Sequence, residues 1–136
     1  MGRARLTMDH STEFNYSLGL RLTKGQVFFG PGLVMLLLAL EQTGSLNRAA
    51  DSVEMSYSKG WNAIKRAEEV LGFSLVEKRT GGAGGGGSFL TREGKDFLEK
   101  YREFERRAYR AAEEIFRELY GEMAERDTEP GHSEKE

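Results

Sequence analysis

Residues 43–72 read TGSLNRAADSVEMSYSKGWNAIKRAEEVLG, and their capping residues predict two helices in close succession. Ser45 and Ser56 each precede a run with helical apolar spacing, which makes both serines candidate N-cap residues. Gly72 follows the second run, where a glycine commonly ends a helix. The stretch therefore predicts a short supporting helix, a tight turn and a longer second helix.

The second helix has two chemically different faces. At about 100° per residue, one line of positions is apolar or small, namely Gly60, Ile64, Ala67 and Leu71. The opposite line carries Ser58, Asn62 and Lys65. On an isolated helix such a polar face is usually only solvated surface. After a tight turn, a second helix with small polar residues at its start has the arrangement that places a helix in the DNA major groove.

A glycine-rich loop follows, in which residues 78–89 read KRTGGAGGGGSF. Three interpretations are open: a nucleotide-binding turn, a flexible linker, or the tip of a β-hairpin. Strand-like apolar runs flank the loop closely, and no helix N-terminus opens at the last glycine to hold a phosphate. A hairpin fits best. With Lys78, Arg79 and Thr80 at its base, this hairpin is predicted to be the wing of a winged helix-turn-helix.

The segments before this region predict a hairpin and a core helix. From Phe14 the residues FNYSLGLRL alternate between apolar and polar, Thr23-Lys24-Gly25 supplies a turn, and QVFFG resumes the strand pattern. The run LVMLLLALEQTG is apolar on too many sides for a surface helix, so it is expected in the core and should stop near Gly44. Residues 1–13 are expected to be a flexible arm and residues 14–91 the winged domain.

From Thr91 the sequence predicts one long helix with an apolar stripe. Residues 92–124 are assigned to a dimerisation helix and residues 125–136 to a disordered acidic tail. The first turns could fold back onto the domain, whereas beyond Phe104 we expect a partner helix from a second copy. The predicted dimer interface consists of Tyr101, Phe104, Ala108, Ala111, Ile115 and Leu119.

Composition excludes several other classes of protein. The chain of 136 residues has a net charge of −2, no cysteine, and only two histidines, His10 and His132, near its ends. No disulfide framework, metal site or cofactor is therefore expected. The longest apolar run, residues 33–40, is too short to cross a membrane, and the first residues lack the apolar segment of a signal peptide. A cytoplasmic protein is expected.

These residues resemble the N-terminal DNA-binding domain of the ModE family of molybdate-responsive regulators, relatives of the LysR-type winged helix-turn-helix. The resemblance covers residues 14–120. The resemblance rests on three stretches: Thr43-Gly44-Ser45, Ser56-Tyr57 with Trp61 and Ile64, and the run from Thr80-Gly81-Gly82 through Gly87 to Leu90-Thr91. It implies a supporting helix over 45–53, a recognition helix over 56–71, a wing over 77–91 and a dimerisation helix from Thr91. The sequence stops after that helix without a molbindin-type domain, so molybdate binding is not expected.

The resulting expectation is an α+β, mostly α winged helix-turn-helix with an N-terminal β-hairpin, acting as a homodimeric regulator on an inverted-repeat site in double-stranded DNA. The alternative is a protein-interaction module that works through its helix dimer. A nucleotide-binding enzyme is disfavoured, because no nucleophile and base, or acid and base, have a defensible spacing. The predicted DNA-binding residues are Ser45, Ser56, Tyr57, Ser58, Lys59, Asn62, Lys65, Lys78, Arg79, Thr80, Gly84 and Gly85. Trp61 is expected to pack against the supporting helix.

Overall fold

The computed structural model describes residues 12–81 and 86–128, with side chains up to residue 125. Its elements are β1 (Leu22–Lys24), β2 (Gln26–Phe29), α1 (Pro31–Thr43), α2 (Leu46–Ser52), α3 (Tyr57–Leu71), β3 (Val76–Arg79), β4 (Gly87–Leu90) and α4 (Arg92–Thr128). The two pairs β1–β2 and β3–β4 are separate antiparallel hairpins. The predicted fold class, an α+β, mostly helical winged helix-turn-helix, is confirmed.

Helix α1 forms the centre of the core, as its apolar sequence predicted. Pro31 occupies the first turn, where its missing N–H costs no helical hydrogen bond. Gly44 ends the helix with a left-handed φ of 69° and donates its N–H to the Leu40 carbonyl. The buried residues of this helix are Leu33, Val34, Leu36, Leu37 and Leu40.

The helix-turn-helix forms because its capping residues act as the sequence predicted. The Ser45 hydroxyl accepts a hydrogen bond from the Arg48 N–H at 3.2 Å, and the Ser56 hydroxyl accepts one from the Lys59 N–H at 3.1 Å. Each bond satisfies one of the free N–H groups at a helix start. Gly72 ends α3 with a φ of 83°.

The wing is confirmed in its stem. β3 pairs with β4 from Val76 opposite Leu90 to Arg79 opposite Gly87. β3 begins at Val76, one residue before the start of the wing that the resemblance implied. Ser88 donates its N–H to the Gly44 carbonyl at 3.0 Å, and a Cβ on Gly87 would lie 2.6 Å from that same oxygen. A glycine is therefore required where the wing crosses the α1–α2 turn.

The N-terminal hairpin differs from the prediction in its extent. Its turn lies at Gly25, with a φ of 78°, but β1 begins at Leu22 rather than at Phe14. The short β2 leaves residues 14–21 without a pairing strand. Within the compact unit that contains residues 12–19 and 102–128, Phe14 instead stacks on Phe116 with ring centroids 5.8 Å apart. The alternation of residues 14–18 therefore reflects contacts with α4.

Helix α4 begins where the sequence predicted and ends later. The Thr91 hydroxyl accepts the Gly94 N–H at 2.8 Å and so caps the helix. Residues 92–101 belong to the compact unit Leu20–Tyr101, which contains the winged domain. Tyr120 interrupts the helical geometry with φ −130° and ψ 15°, and the helix then continues to Thr128. The predicted tail from residue 125 is thus helical in its first four residues, while residues 129–136 and 1–11 lie outside the described part.

Candidate nucleic-acid interface

The outward face of α3 is exposed along its length. Gly60, Ile64 and Ala67 are buried against the domain, and a Cβ on Gly60 would lie 3.0 Å from the Leu36 side chain. The opposite positions predicted for DNA contact are solvent-accessible: Tyr57, Ser58, Lys59, Asn62 and Lys65. Because burial uses the other side of the helix, this polar face is free to meet a groove.

Trp61 lies at the centre of a cluster that joins α3 to the wing. The Lys65 ammonium lies 4.4 Å from the centre of the Trp61 ring, and the Lys78 ammonium lies 5.4 Å from it. Tyr57 is parallel to Trp61 within 4°, with ring centroids 6.5 Å apart. These contacts place Trp61 at the wing base, a role that we did not predict from the sequence. The i, i+4 spacing of Tyr57, Trp61 and Lys65 predicts their contacts within α3 but not the contact with Lys78.

Glu68 is a second residue that the sequence analysis missed. One carboxylate oxygen accepts the N–H groups of Leu75 at 2.7 Å and Val76 at 3.2 Å, and the other lies 3.2 Å from the Lys65 ammonium. The carboxylate therefore connects the recognition helix to the start of the wing. No spacing rule for a helix predicts a contact with backbone seven and eight residues later in the chain.

The two cationic residues of the wing base lie on opposite faces of the hairpin. Successive side chains of a strand alternate between faces, so Lys78 lies on one side and Arg79 on the other. Lys78 faces Trp61, whereas the Arg79 guanidinium stacks on Phe89 at 4.2 Å and pairs with Glu77 at 3.0 Å. The structure thus brings Lys78, but not Arg79, together with the cations of α3.

The remaining predicted positions divide into three groups. Ser45 and Ser56 use their oxygens as capping acceptors, so each hydroxyl keeps its proton for donation outward. Thr80 is exposed at the end of β3. Gly84 and Gly85 lie outside the described residues.

The predicted dimer interface needs one correction. Tyr101 is only 2% exposed, donates its hydroxyl to the Leu20 carbonyl at 2.7 Å, and packs edge-on against Phe29. It belongs to the core of its own domain and has no surface left for a partner. The other large members are exposed: Phe104 by 52%, Ile115 by 55% and Leu119 by 65%. With Ala108 and Ala111 they form what we call the α4 stripe.

The described residues contain neither a metal-binding cluster nor a membrane-spanning helix. Across residues 12–81 and 86–128, no three or more His, Cys, Asp or Glu side chains are grouped so as to hold a metal ion. None of the helices in the same ranges has the length and apolar character needed to cross a membrane.

Comparison with known proteins assigns the class of this domain. Residues 32–95 match the model of the bacterial regulatory helix-turn-helix proteins of the LysR family. The chain is 43% identical over 72 residues to the molybdenum transport protein ModE of Herbaspirillum seropedicae, covering 53% of this chain and 27% of the relative. It is 36% identical over 76 residues to the DNA-binding transcriptional dual regulator ModE of Escherichia coli K12, covering 56% and 29%.

A third relative is the molybdenum-pterin-binding protein MopB of Rhodobacter capsulatus, 32% identical over 83 residues, which are 61% of this chain and 31% of the relative. The chain thus spans less than a third of the length of these curated relatives. The matched region contains the helix-turn-helix and the wing. The chain carries a ModE-like DNA-binding domain of the LysR helix-turn-helix class.

Proposed function

We propose that this chain is a transcriptional regulator that binds an inverted-repeat DNA site as a homodimer. The observation that carries the proposal is the exposed polar face of α3, which lies beside the cationic base of the wing in a LysR-class domain. In the proposal, α3 enters the major groove and the β3–β4 hairpin approaches the adjacent backbone. The function requires no catalytic residue and no cofactor, and it places the protein in the cytoplasm with the chromosome.

The side chains divide into base-reading and phosphate-binding groups. Asn62 and Ser58 lie on the exposed face of α3, and an asparagine amide is suited to the major-groove edge of adenine. We assign Tyr57, which is exposed at the start of α3, to a contact with a thymine methyl group or a phosphate. The phosphate contacts are assigned to Lys59, Lys65, Lys78 and Arg79, supported by the hydroxyls of Ser45, Ser56 and Thr80 and by Gly84 and Gly85, which lie in the sequence between β3 and β4.

The homodimer is proposed from the α4 stripe. Phe104, Ile115 and Leu119 each expose about half or more of their surface, with Ala108 and Ala111 between them. Their spacing of three and four residues is that of a helix–helix seam. A second copy would bury these side chains and hold two recognition helices for two half-sites.

The test is selection of binding sites from a random duplex library, followed by fluorescence anisotropy on the selected duplex. We expect Asn62→Ala to lose discrimination at one position per half-site by about 1–3 kcal/mol, roughly 5- to 150-fold. Gln42→Ala removes an exposed amide from α1 and serves as the matched control, with unchanged selectivity.

Two outcomes would contradict the proposal at different levels. If Asn62→Ala selects the same sequences as the parent protein, Asn62 does not read a base. If the parent protein is dimeric but prefers no sequence at physiological salt, the domain is better explained as a protein-interaction module that works through its helix dimer.

A further inference from the structure

The contacts around Trp61 form a closed chain between the recognition helix and the wing. Lys78 on β3 lies over the Trp61 ring, Lys65 lies over the same ring, and Lys65 also pairs with Glu68. Glu68 also contacts the wing, because its carboxylate accepts the N–H groups of Leu75 and Val76 at the start of β3. β3 therefore contacts α3 at two points, through the Val76 N–H and through the Lys78 side chain.

This geometry brings two ammonium groups close to one aromatic ring. A cation within about 6 Å of the centre of an aromatic ring is attracted to the face of that ring. Two like charges at one ring also repel each other, and only Lys65 has a carboxylate partner in the described contacts, at 3.2 Å. The pair would gain most from an anion that contacts both ammonium groups.

The cluster is accessible to such an anion. The Lys65 side chain is 50% exposed, and Lys78 is exposed on the strand. Lysine acts as a compact point charge on a flexible stem, so both ammonium groups can turn from the ring toward a phosphate. A turn of Lys65 toward a phosphate breaks its pair with the Glu68 Oε1, while two backbone N–H groups continue to hold the Glu68 Oε2 at the start of the wing.

We propose that Trp61 is a positioning residue that holds Lys65 and Lys78 as a paired site for one phosphate group of duplex DNA. The proposal rests on the proposed function in so far as DNA supplies the phosphate. It assigns Trp61 no base contact. Trp61 instead sets the distance between the wing cation and the recognition helix, so that both reach the same point of the backbone.

The experiment uses the whole chain and a random-sequence duplex at low salt, which requires no operator. Each neutralised phosphate contributes about 0.9 to the slope of log affinity against log salt. Because the two lysines share one phosphate, Trp61→Ala and the double variant Lys65→Ala/Lys78→Ala should each lower the slope by about 0.9 or less. Trp61→Phe keeps an aromatic ring and should retain most of the slope. Lys95→Ala, an exposed lysine of α4, is the charge control.

The decisive comparison is a double-mutant cycle. If Trp61 acts through the two lysines, Trp61→Ala should cause no further loss of affinity or slope in the Lys65→Ala/Lys78→Ala background. Additive losses would overturn the proposal, since Trp61 would then act independently. Circular dichroism of each variant shows that the loss is not unfolding, and the Phe variant and the lysine variant keep the test valid if Trp61→Ala does not fold.

Trp61 also provides a readout of its own, because it is the only tryptophan in the chain. Duplex binding should change its fluorescence in the parent protein as the ammonium groups turn to the phosphate. At matched saturation this change should be lost in Lys65→Ala/Lys78→Ala. A change that persists undiminished overturns the paired site.

The outcomes separate this proposal from the proposed function. If the double-mutant cycle gives the expected result but the protein prefers no DNA sequence, the paired phosphate site is supported and the role of a sequence-specific regulator is contradicted. If the protein prefers a DNA sequence but the losses of affinity in the cycle are additive, the regulator is supported and the paired site is contradicted. A parent protein that binds no duplex even at low salt overturns both.

Discussion

Glu105 is a buried carboxylate without a complete set of partners. It lies on α4 with 5% of its surface exposed, and its Oε2 has no hydrogen-bond partner within the described part of the chain. Burial raises the pKa of Glu105 above its ordinary value of 4.5, and the nearby Arg102 and Arg106 oppose that shift. The Arg102 Nε, at 3.8 Å from the carboxylate, is too distant for a good hydrogen bond.

The sign of the pH effect follows from the raised pKa of Glu105. Between pH 4.5 and the raised value, the folded protein binds more protons than the unfolded chain, so the contribution of Glu105 to stability falls as pH rises. It is fully present below pH 4.5 and is lost above the raised pKa of the folded state. The pKa of Glu103 shifts downward because Arg106 and Arg107 donate to it, so its effect has the opposite sign and belongs to lower pH.

We predict that Glu105→Gln removes this pH dependence and stabilises the protein at pH 8 by about 1 kcal/mol, because a buried charge is replaced by a neutral amide. Urea unfolding at about pH 5 and 8 and fixed protein concentration measures it. Glu114→Gln, an exposed carboxylate on the same helix, is the control and should keep the parent's pH dependence. A Glu105 variant that is less stable than the parent at pH 8 would contradict the assignment.

At the scale of elements, the connection between α3 and the wing depends on Glu68. Its carboxylate accepts two backbone N–H groups, those of Leu75 and Val76, and the Leu75 side chain is fully buried. Charge-assisted hydrogen bonds of this kind are stronger than neutral ones. Their removal leaves two donors near the core without partners.

We predict that Glu68→Ala destabilises the domain by about 1–3 kcal/mol, because unsatisfied donors retain their desolvation cost. Hydrogen exchange should accelerate at the Leu75 and Val76 amides in particular. Glu69→Ala changes the exposed neighbour on the same helix and should alter stability by no more than about 0.5 kcal/mol. Equal effects of the two substitutions would show that the carboxylate of Glu68 does not hold the wing.

The elements that could be predicted from the sequence are those with local signals. α2 and α3 begin at serine caps and α1 and α3 end at glycines, and these interactions span only three or four residues. The strand predicted from Phe14 was wrong because alternation records which residues are covered, not what covers them. In the structure an aromatic cluster with Phe116 and Tyr120, about a hundred residues later, covers Phe14.

The sequence predicted which face of α3 is exposed, but it did not predict the contacts between α3 and the wing. Helical periodicity placed Ser58 and Asn62 outward, and the structure exposes both. The cluster of Trp61 with Lys78 depends on how β3 returns to α3, which no local pattern contains. Arg79 directly follows Lys78 in the sequence at the wing base, yet strand alternation places their side chains on opposite faces of the hairpin.

At the scale of the whole molecule, α4 carries more large apolar side chains than one winged domain buries. Tyr101 is buried in the core of the unit Leu20–Tyr101, so the apolar positions up to that residue are explained within one chain. Phe104, Ile115 and Leu119 are exposed by 52%, 55% and 65%. Large exposed apolar patches on a domain usually mark an interaction surface.

We predict that Ile115→Asp converts the protein to a folded monomer with much weaker DNA binding, because a charge in the seam would be buried without a partner at a cost of several kcal/mol. Sedimentation reports the assembly, circular dichroism the fold, and a mobility shift the binding to duplexes whose half-sites lie about 10–10.5 bp apart or at a multiple of that. Arg110→Asp makes a larger charge change on another side of α4 and should leave the dimer intact. Ile115→Val should preserve both assembly and binding. If Ile115→Asp remains dimeric, the α4 stripe is not the seam, and the separation of the two recognition helices must be set by another surface of the chain.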